Sequence, residues 1–103
     1  MAPPPRLRVT AHQIRARFNA EGYLQRVQQG ALRQVVRLEK PLSEATCKAK
    51  GYPYGTRKQL LEYYDGEQRV ALVHLVVLPD GTIGASGLPD PKVLLVDGVL
   101  WFV

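Results

Sequence analysis

The sequence predicts an α+β domain, with one or two N-terminal helices packed on an antiparallel sheet of four or five strands. Three observations predict it. Thr10 and Gln13 have the spacing of a capping box, and Ile14 and Phe18 follow four residues apart on one helical face. "QLLEYYD" and "QRVALVHLVVL" meet at Asp65-Gly66, and "KVLLV" and "VLWFV" meet at Asp97-Gly98; Asp-Gly tolerates the positive φ of a tight hairpin turn. The run "VALVHLVVL" at 70–78 is apolar on both faces, the pattern of a central strand covered on both sides.

Along the chain, residues 1–9 read as an extended lead-in, stiffened by three successive prolines and frayed at its end, and 10–103 as a single domain. The first helix is expected from about Ala11 to Glu21, with Gly22 placed to stop it. The next segment, "YLQRVQQGALRQVVRLEKP", carries two patterns. Leu24, Val27, Ala31, Val35 and Leu38 recur at helical spacing, whereas Gly30 interrupts and "RQVVRLE" suits a strand. The reading taken is two strands, about 23–28 and 32–39, turning at Gln29 and Gly30; one longer helix is the alternative. Pro41 closes the segment. Residues 41–57 form a connection with one helical turn after Ser43, ended by "GYPYG". Near the C-terminus, Pro91 opens either a strand or a short helical turn.

A chain of 103 residues with 46% hydrophobic content can bury one core without crosslinks. Cys47 is the single cysteine, which excludes an intramolecular disulfide and suits a reducing compartment; a buried, inert thiol is the plainer reading. No apolar run approaches the roughly 20 residues of a membrane span, and the N-terminus lacks the apolar core of a secretory signal. The expectation is therefore a cytoplasmic protein with no membrane partner.

Charge is distributed unevenly. Residues 1–58 hold twelve Lys/Arg against three acids, and residues 59–103 hold two against six, within a net charge of +5. A basic front half attracts polyanions by counterion release. Opposite charges in the two halves could instead pair between subunits. An ordinary solvated surface would explain the balance equally well.

There is no Walker loop, dinucleotide fingerprint or metal-type Cys/His cluster, so no cofactor or metal is expected. His74 is the most informative single residue. It lies inside the apolar run, on the face of Val70, Leu72, Val76 and Leu78, with Arg57 or Lys58 expected opposite according to hairpin register. A half-buried structural histidine is the plain reading. The chemical one makes His74 a proton shuttle and Arg57 the cation for developing phosphate charge, with Tyr63 or Tyr64 beside them, as in small ribonucleases. Tyr52 and Tyr54 flank Pro53 between Lys48, Lys50 and Arg57, Lys58; rings among cations can stack on unpaired bases. Arg15, Arg17 and Lys92 complete the candidate nucleic-acid set. His12 could also meet phosphate or stand in solvent. In "LPDGTIGASGLPDPK", residues 78–92, Gly81, Gly84 and Gly87 shape a loop that could present backbone donors to an anion with Ser86 and Lys92, or simply cross between sheet elements.

"GTRKQLLEYYD", "VHLVVLPDGTIGASGLPDPK" and the terminal "DGVLWFV" resemble small bacterial proteins ending in a Pro-Asp-Gly-Thr, Gly-Ser-Gly, Pro-Asp-Pro-Lys type tail. The likeness covers about the second half of the chain and implies a shared fold, with no activity or catalytic residue to transfer. A looser similarity of architecture, helices before an antiparallel sheet, links the chain to small basic toxin ribonucleases. The leading expectation is an RNA-binding protein, with an RNA-cleaving variant. The rival is an interaction module, such as a homodimer made through the apolar C-terminal strand.

Overall fold

The computed structural model describes residues 2–84 and 87–103. Nine elements follow one another: β1 (Arg6–Arg8), α1 (Ala11–Ala20), α2 (Tyr23–Gln28), β2 (Arg33–Pro41), α3 (Glu44–Lys50), β3 (Arg57–Asp65), β4 (Gln68–Val77), β5 (Asp90–Val96) and β6 (Val99–Phe102). The strands form one sheet in the order β1-β6-β5-β4-β3-β2. The α+β class stands as expected, with six strands in place of four or five. Five of them, β2 to β6, pair antiparallel; β1 adds a parallel edge against β6.

That extra strand comes from the lead-in. Leu100 donates its N–H to the Pro5 carbonyl at 2.8 Å, and Val9 donates to Phe102 at 2.8 Å. Three prolines and a three-residue strand carry no readable periodicity, so the pairing has no sequence signature. Both sides of β6 are therefore paired within the chain, and a dimer by strand addition at β6 would have to displace β1.

Thr10 caps α1 as expected: Gln13 N–H donates to the Thr10 hydroxyl at 3.1 Å, and Thr10 N–H donates to the Gln13 side chain at 2.9 Å. Gly22, at φ +65, breaks the helix, but the chain starts a second one rather than a strand. The strand expected at 23–28 is thus corrected to α2. Tyr23 is 6% exposed and its ring stacks on Phe18 at 5.4 Å between centroids; Val27, four residues on, also packs against the core. Both periods would put these two residues on one face; what selects the helix is that Tyr23 follows directly on α1 after Gly22, which lets its ring stack on Phe18. Gly30, at φ +80, then ends α2, and Ala31 N–H reaches back to the Arg26 carbonyl at 2.8 Å in a Schellman closure. The strand expected at 32–39 is present as β2. Ser43 caps α3, whose two turns run somewhat longer than the single turn expected.

The β3–β4 turn is centred on Gly66 and Glu67, one residue beyond the expected pair. At β5–β6, Asp97 (φ 49) and Gly98 (φ 78) both take positive φ, as a two-residue hairpin of matching twist requires. Pro91 lies in a strand, not a helical turn.

Register divides the sheet into two faces. The row Leu7–Trp101–Leu94–Ala71–Tyr63–Gln34 crosses all six strands on the face that α1 and α2 cover. Ile14, Phe18 and Tyr23 from the helices meet Leu61, Tyr63, Ala71, Val73, Leu94 and Val96 there. The opposite row is Arg8–Phe102–Val93–Leu72–Glu62–Val35, and none of its members is fully buried. β4 is central as expected, but only one of its faces lies under α1 and α2. No helix among the described residues is long and apolar enough to cross a membrane.

Candidate nucleic-acid interface

The expected pairing of His74 with Arg57 is not formed. β3 pairs with β4 so that Leu60 lies opposite His74 and Val77 opposite Arg57. Arg57 and Leu60 are three positions apart, and an odd offset on a strand reverses the face. Arg57 instead meets Glu39 at 2.6 Å, and Gln59 donates a hydrogen bond to the same carboxylate. These contacts hold the Glu39 carboxyl below the usual carboxylate range, the Gln59 bond contributing most. Nor do the two tyrosines gather at His74. Tyr63 is a core residue on the covered face, whereas Tyr64 lies on the open face beneath the Arg33 guanidinium, 4.7 Å from its ring centre.

What surrounds His74 is a cleft of about 410 Å³. α1 contributes Arg15 and Asn19, α3 contributes its last residue, Lys50, Tyr52 follows the Gly51 cap of that helix, and β4 contributes His74 and Val76. The returning segment closes it with Gly84, Leu88, Pro89 and Asp90. His74 sits in the cross-strand row Leu38–Leu60–His74–Asp90, with Lys58 one pair further along opposite Val76. Burial lowers the His74 pKa, and the nearby Lys92 and Lys58 charges lower it further against the weaker pull of Asp90. The neutral imidazole is thereby favoured, and an anion that offsets those cations favours its protonation.

Among the described residues, Asp90 is the only carboxylate lining the cleft. It binds Arg15 at 3.1 Å and Lys92 at 2.8 Å. Burial raises its pKa, but hydrogen bonds from Lys92 and Arg15 outweigh that, and the net shift is downward. An ionised Asp90 therefore neutralises part, not all, of the local positive charge. Lys50 and Lys58 have no carboxylate within ion-pair distance among the described residues.

Of the residues expected to bind nucleic acid, Arg15, Lys50 and Tyr52 line this cleft, and Lys58 and Lys92 act on it electrostatically. Arg17 does not join them: it lies 3.1 Å from Glu21 and 3.3 Å from Asp97, and its guanidinium lies over Trp101. Lys48 is exposed on α3, and Tyr54 projects at 80% exposure beyond it. His12 is exposed on α1. Ser86 lies outside the described residues.

The glycine-rich segment is shaped as its residue types imply. Asp80 accepts from the Thr82 hydroxyl at 2.7 Å and from its N–H at 2.9 Å, which lowers the Asp80 pKa; Gly81 (φ +88) completes the turn. Ile83 bridges to Val77, and Gly84 N–H donates to the Val76 carbonyl at 2.8 Å, so the segment extends the sheet beside β4 before β5 begins. Asp90 was legible only as a loop residue of "PDPK"; its closeness to Lys92 in sequence was the one available signal of an ion pair. No family model, curated protein or solved structure matches the chain.

Proposed function

We propose that this protein binds single-stranded nucleic acid, RNA foremost, and that the cleft at His74 seats a backbone phosphate. The observation that carries the reading is the convergence of Arg15, Lys50, Lys58 and Lys92 on His74, with Asp90 the single carboxylate among the described residues there. A phosphate entering there exchanges bulk counterions for fixed cations. It also offsets the Lys92 and Lys58 charges that add to burial in lowering the His74 pKa. The Tyr52 ring at the rim offers a stacking surface to an unpaired base of any identity. Cleavage by a His74–Arg57 pair forms no part of this reading, because Arg57 stands on the other face of the sheet.

Fluorescence anisotropy with a labelled oligouridylate across a salt series tests it. Log affinity should fall linearly with log salt, with a slope of about −0.7 for each phosphate contacted. Lys50→Gln should flatten that slope by about one phosphate's worth, and Arg57→Gln should leave it unchanged. Affinity indifferent to salt, or equal losses in the two variants, would refute the proposal.

A further inference from the structure

Most of the open face of the sheet lies outside the cleft. Its centre is apolar and half-buried: Phe102, Val93 and Leu72 in one row, Leu100 and Leu95 in the next, and Leu60 beside His74. Sheets of this kind ordinarily carry polar residues on a solvated side. Here polar residues surround the apolar centre, and most of them are cations.

Two of the face's carboxylates are already committed. Glu62 accepts from Arg69 at 3.1 Å and lies 3.9 Å from Arg37, while Asp90 holds Arg15 and Lys92. Arg6, Arg8, Arg33, Lys40 and Lys58 have no carboxylate within ion-pair distance among the described residues. Three of these arginines lie over rings. The Arg6 and Arg8 guanidinium carbons stand 4.9 and 5.5 Å from the Phe102 centroid at one edge, and Arg33 stands 4.7 Å from Tyr64 toward the other. Each pair holds a planar cation on an aromatic plate above an apolar floor.

We infer that this open face is a platform on which single-stranded RNA lays its bases, continuous with the phosphate seat through His74. The inference rests on the nucleic-acid reading above and names the surface that would carry most of the chain's contact with RNA. Charge selects the occupant. A second copy of this chain would bring the same unneutralised arginines face to face, at a Coulombic cost that an apolar contact must first overcome. RNA brings phosphates for Arg6, Arg8, Arg33, Lys40 and Lys58. Its bases supply flat, uncharged surfaces for Phe102, Tyr64 and the stacked guanidinium planes. Phe102 and Tyr64 belong to strands three apart in the sheet, about 14 Å at the usual strand spacing, a separation that a few extended nucleotides cover.

The test uses the full chain and a labelled twelve-residue oligouridylate. Phe102→Leu and Tyr64→Leu keep the apolar floor and remove the rings. Each should weaken binding by about 5- to 100-fold, with little change in salt slope. Replacing Arg6, Arg8 and Arg33 together by Gln should flatten the slope by about 2. Circular dichroism and a denaturant midpoint equal to wild type confirm that the variants fold. Binding that is lost in Lys50→Gln yet untouched by both ring variants overturns the platform while leaving the cleft reading intact. No binding of the oligonucleotide by the wild-type chain overturns both. A dimer that forms through this face at high salt and excludes RNA overturns the platform in favour of a second copy.

Discussion

Replacing Gly84 by alanine offers a direct probe of the cleft's architecture. Gly84 does not have a positive φ, so the substitution costs nothing in backbone conformation; the question is purely one of space. An added Cβ would lie 2.9 Å from Val76 Cγ1, 3.3 Å from Tyr52 Cε1 and 3.4 Å from Leu78 Cδ2. Relaxed carbon contacts begin near 3.5 Å, so the Val76 contact overlaps by about 0.6 Å. Val76 is β-branched and stiff at χ1, and its backbone is held by Gly84 N–H on one side and β3 on the other. Neither partner can swing aside, and Tyr52 and Leu78 close the remaining directions. Overpacking of this kind costs about 1–3 kcal/mol. Urea unfolding of wild type, Gly84→Ala, Val76→Ala and the double variant isolates the term, because removing Cγ1 removes the worst overlap. The cycle should show a favourable coupling of about 1 kcal/mol between the two changes. Because Tyr52 and Val76 both line the cleft, Gly84→Ala should also weaken oligonucleotide binding, and Val76→Ala should recover part of the loss. A Gly84→Ala stability within about 0.5 kcal/mol of wild type, the range of an ordinary surface change, would show that the close approach has been misjudged.

Two further outcomes are expected. Tyr63 is fully buried, its hydroxyl has no protein hydrogen-bond partner among the described residues, and burial raises its pKa. Tyr63→Phe should therefore be neutral or stabilise the fold by up to about 1 kcal/mol, raising the melting temperature by a few degrees; a loss of about 1 kcal/mol or more would reveal an unrecognised partner. His74 has a folded-state pKa below its unfolded value, so the unfolded chain binds the extra proton first as pH falls. Its contribution to stability is complete above the unfolded pKa and is lost as pH drops through that value toward the folded one. A bound phosphate acts in the opposite sense and favours the imidazolium, so oligonucleotide affinity should rise as pH falls toward the lowered folded-state pKa of His74. Both trends should vanish in His74→Gln; an affinity that is flat between about pH 5.5 and 7.5 in wild type would separate His74 from the phosphate.

Much of the fold was readable where local chemistry decides it. The Thr10–Gln13 cap, the Asp97-Gly98 turn, the Ser43 cap and the central place of β4 all depend on residues within a few positions of one another. Tyr23–Gln28 was misread because six residues can satisfy both periods, and the stacking of Tyr23 on Phe18 settles the matter. The candidate site was legible in its parts. His74, Lys50, Tyr52 and Arg15 could be named from residue type and surroundings, but their assembly depends on how α1, α3, β4, Gly84 and residues 88–90 come together, which no local pattern encodes.

Local chemistry sets the elements that close within a turn or a hairpin, the basic bias of the front half and the conformational demands of its turn glycines. Which residues share a face depends on how the strands pair across the whole sheet. Side chains alternate along every strand, so the three-residue step from Leu60 sent Arg57 away from His74. The same alternation, carried across six strands, gathered Arg6, Arg8 and Arg33 from distant parts of the chain onto one apolar surface beside Phe102 and Tyr64. Pairing register is set by the summed burial of the whole covered face, and that sum exists only once the chain has folded.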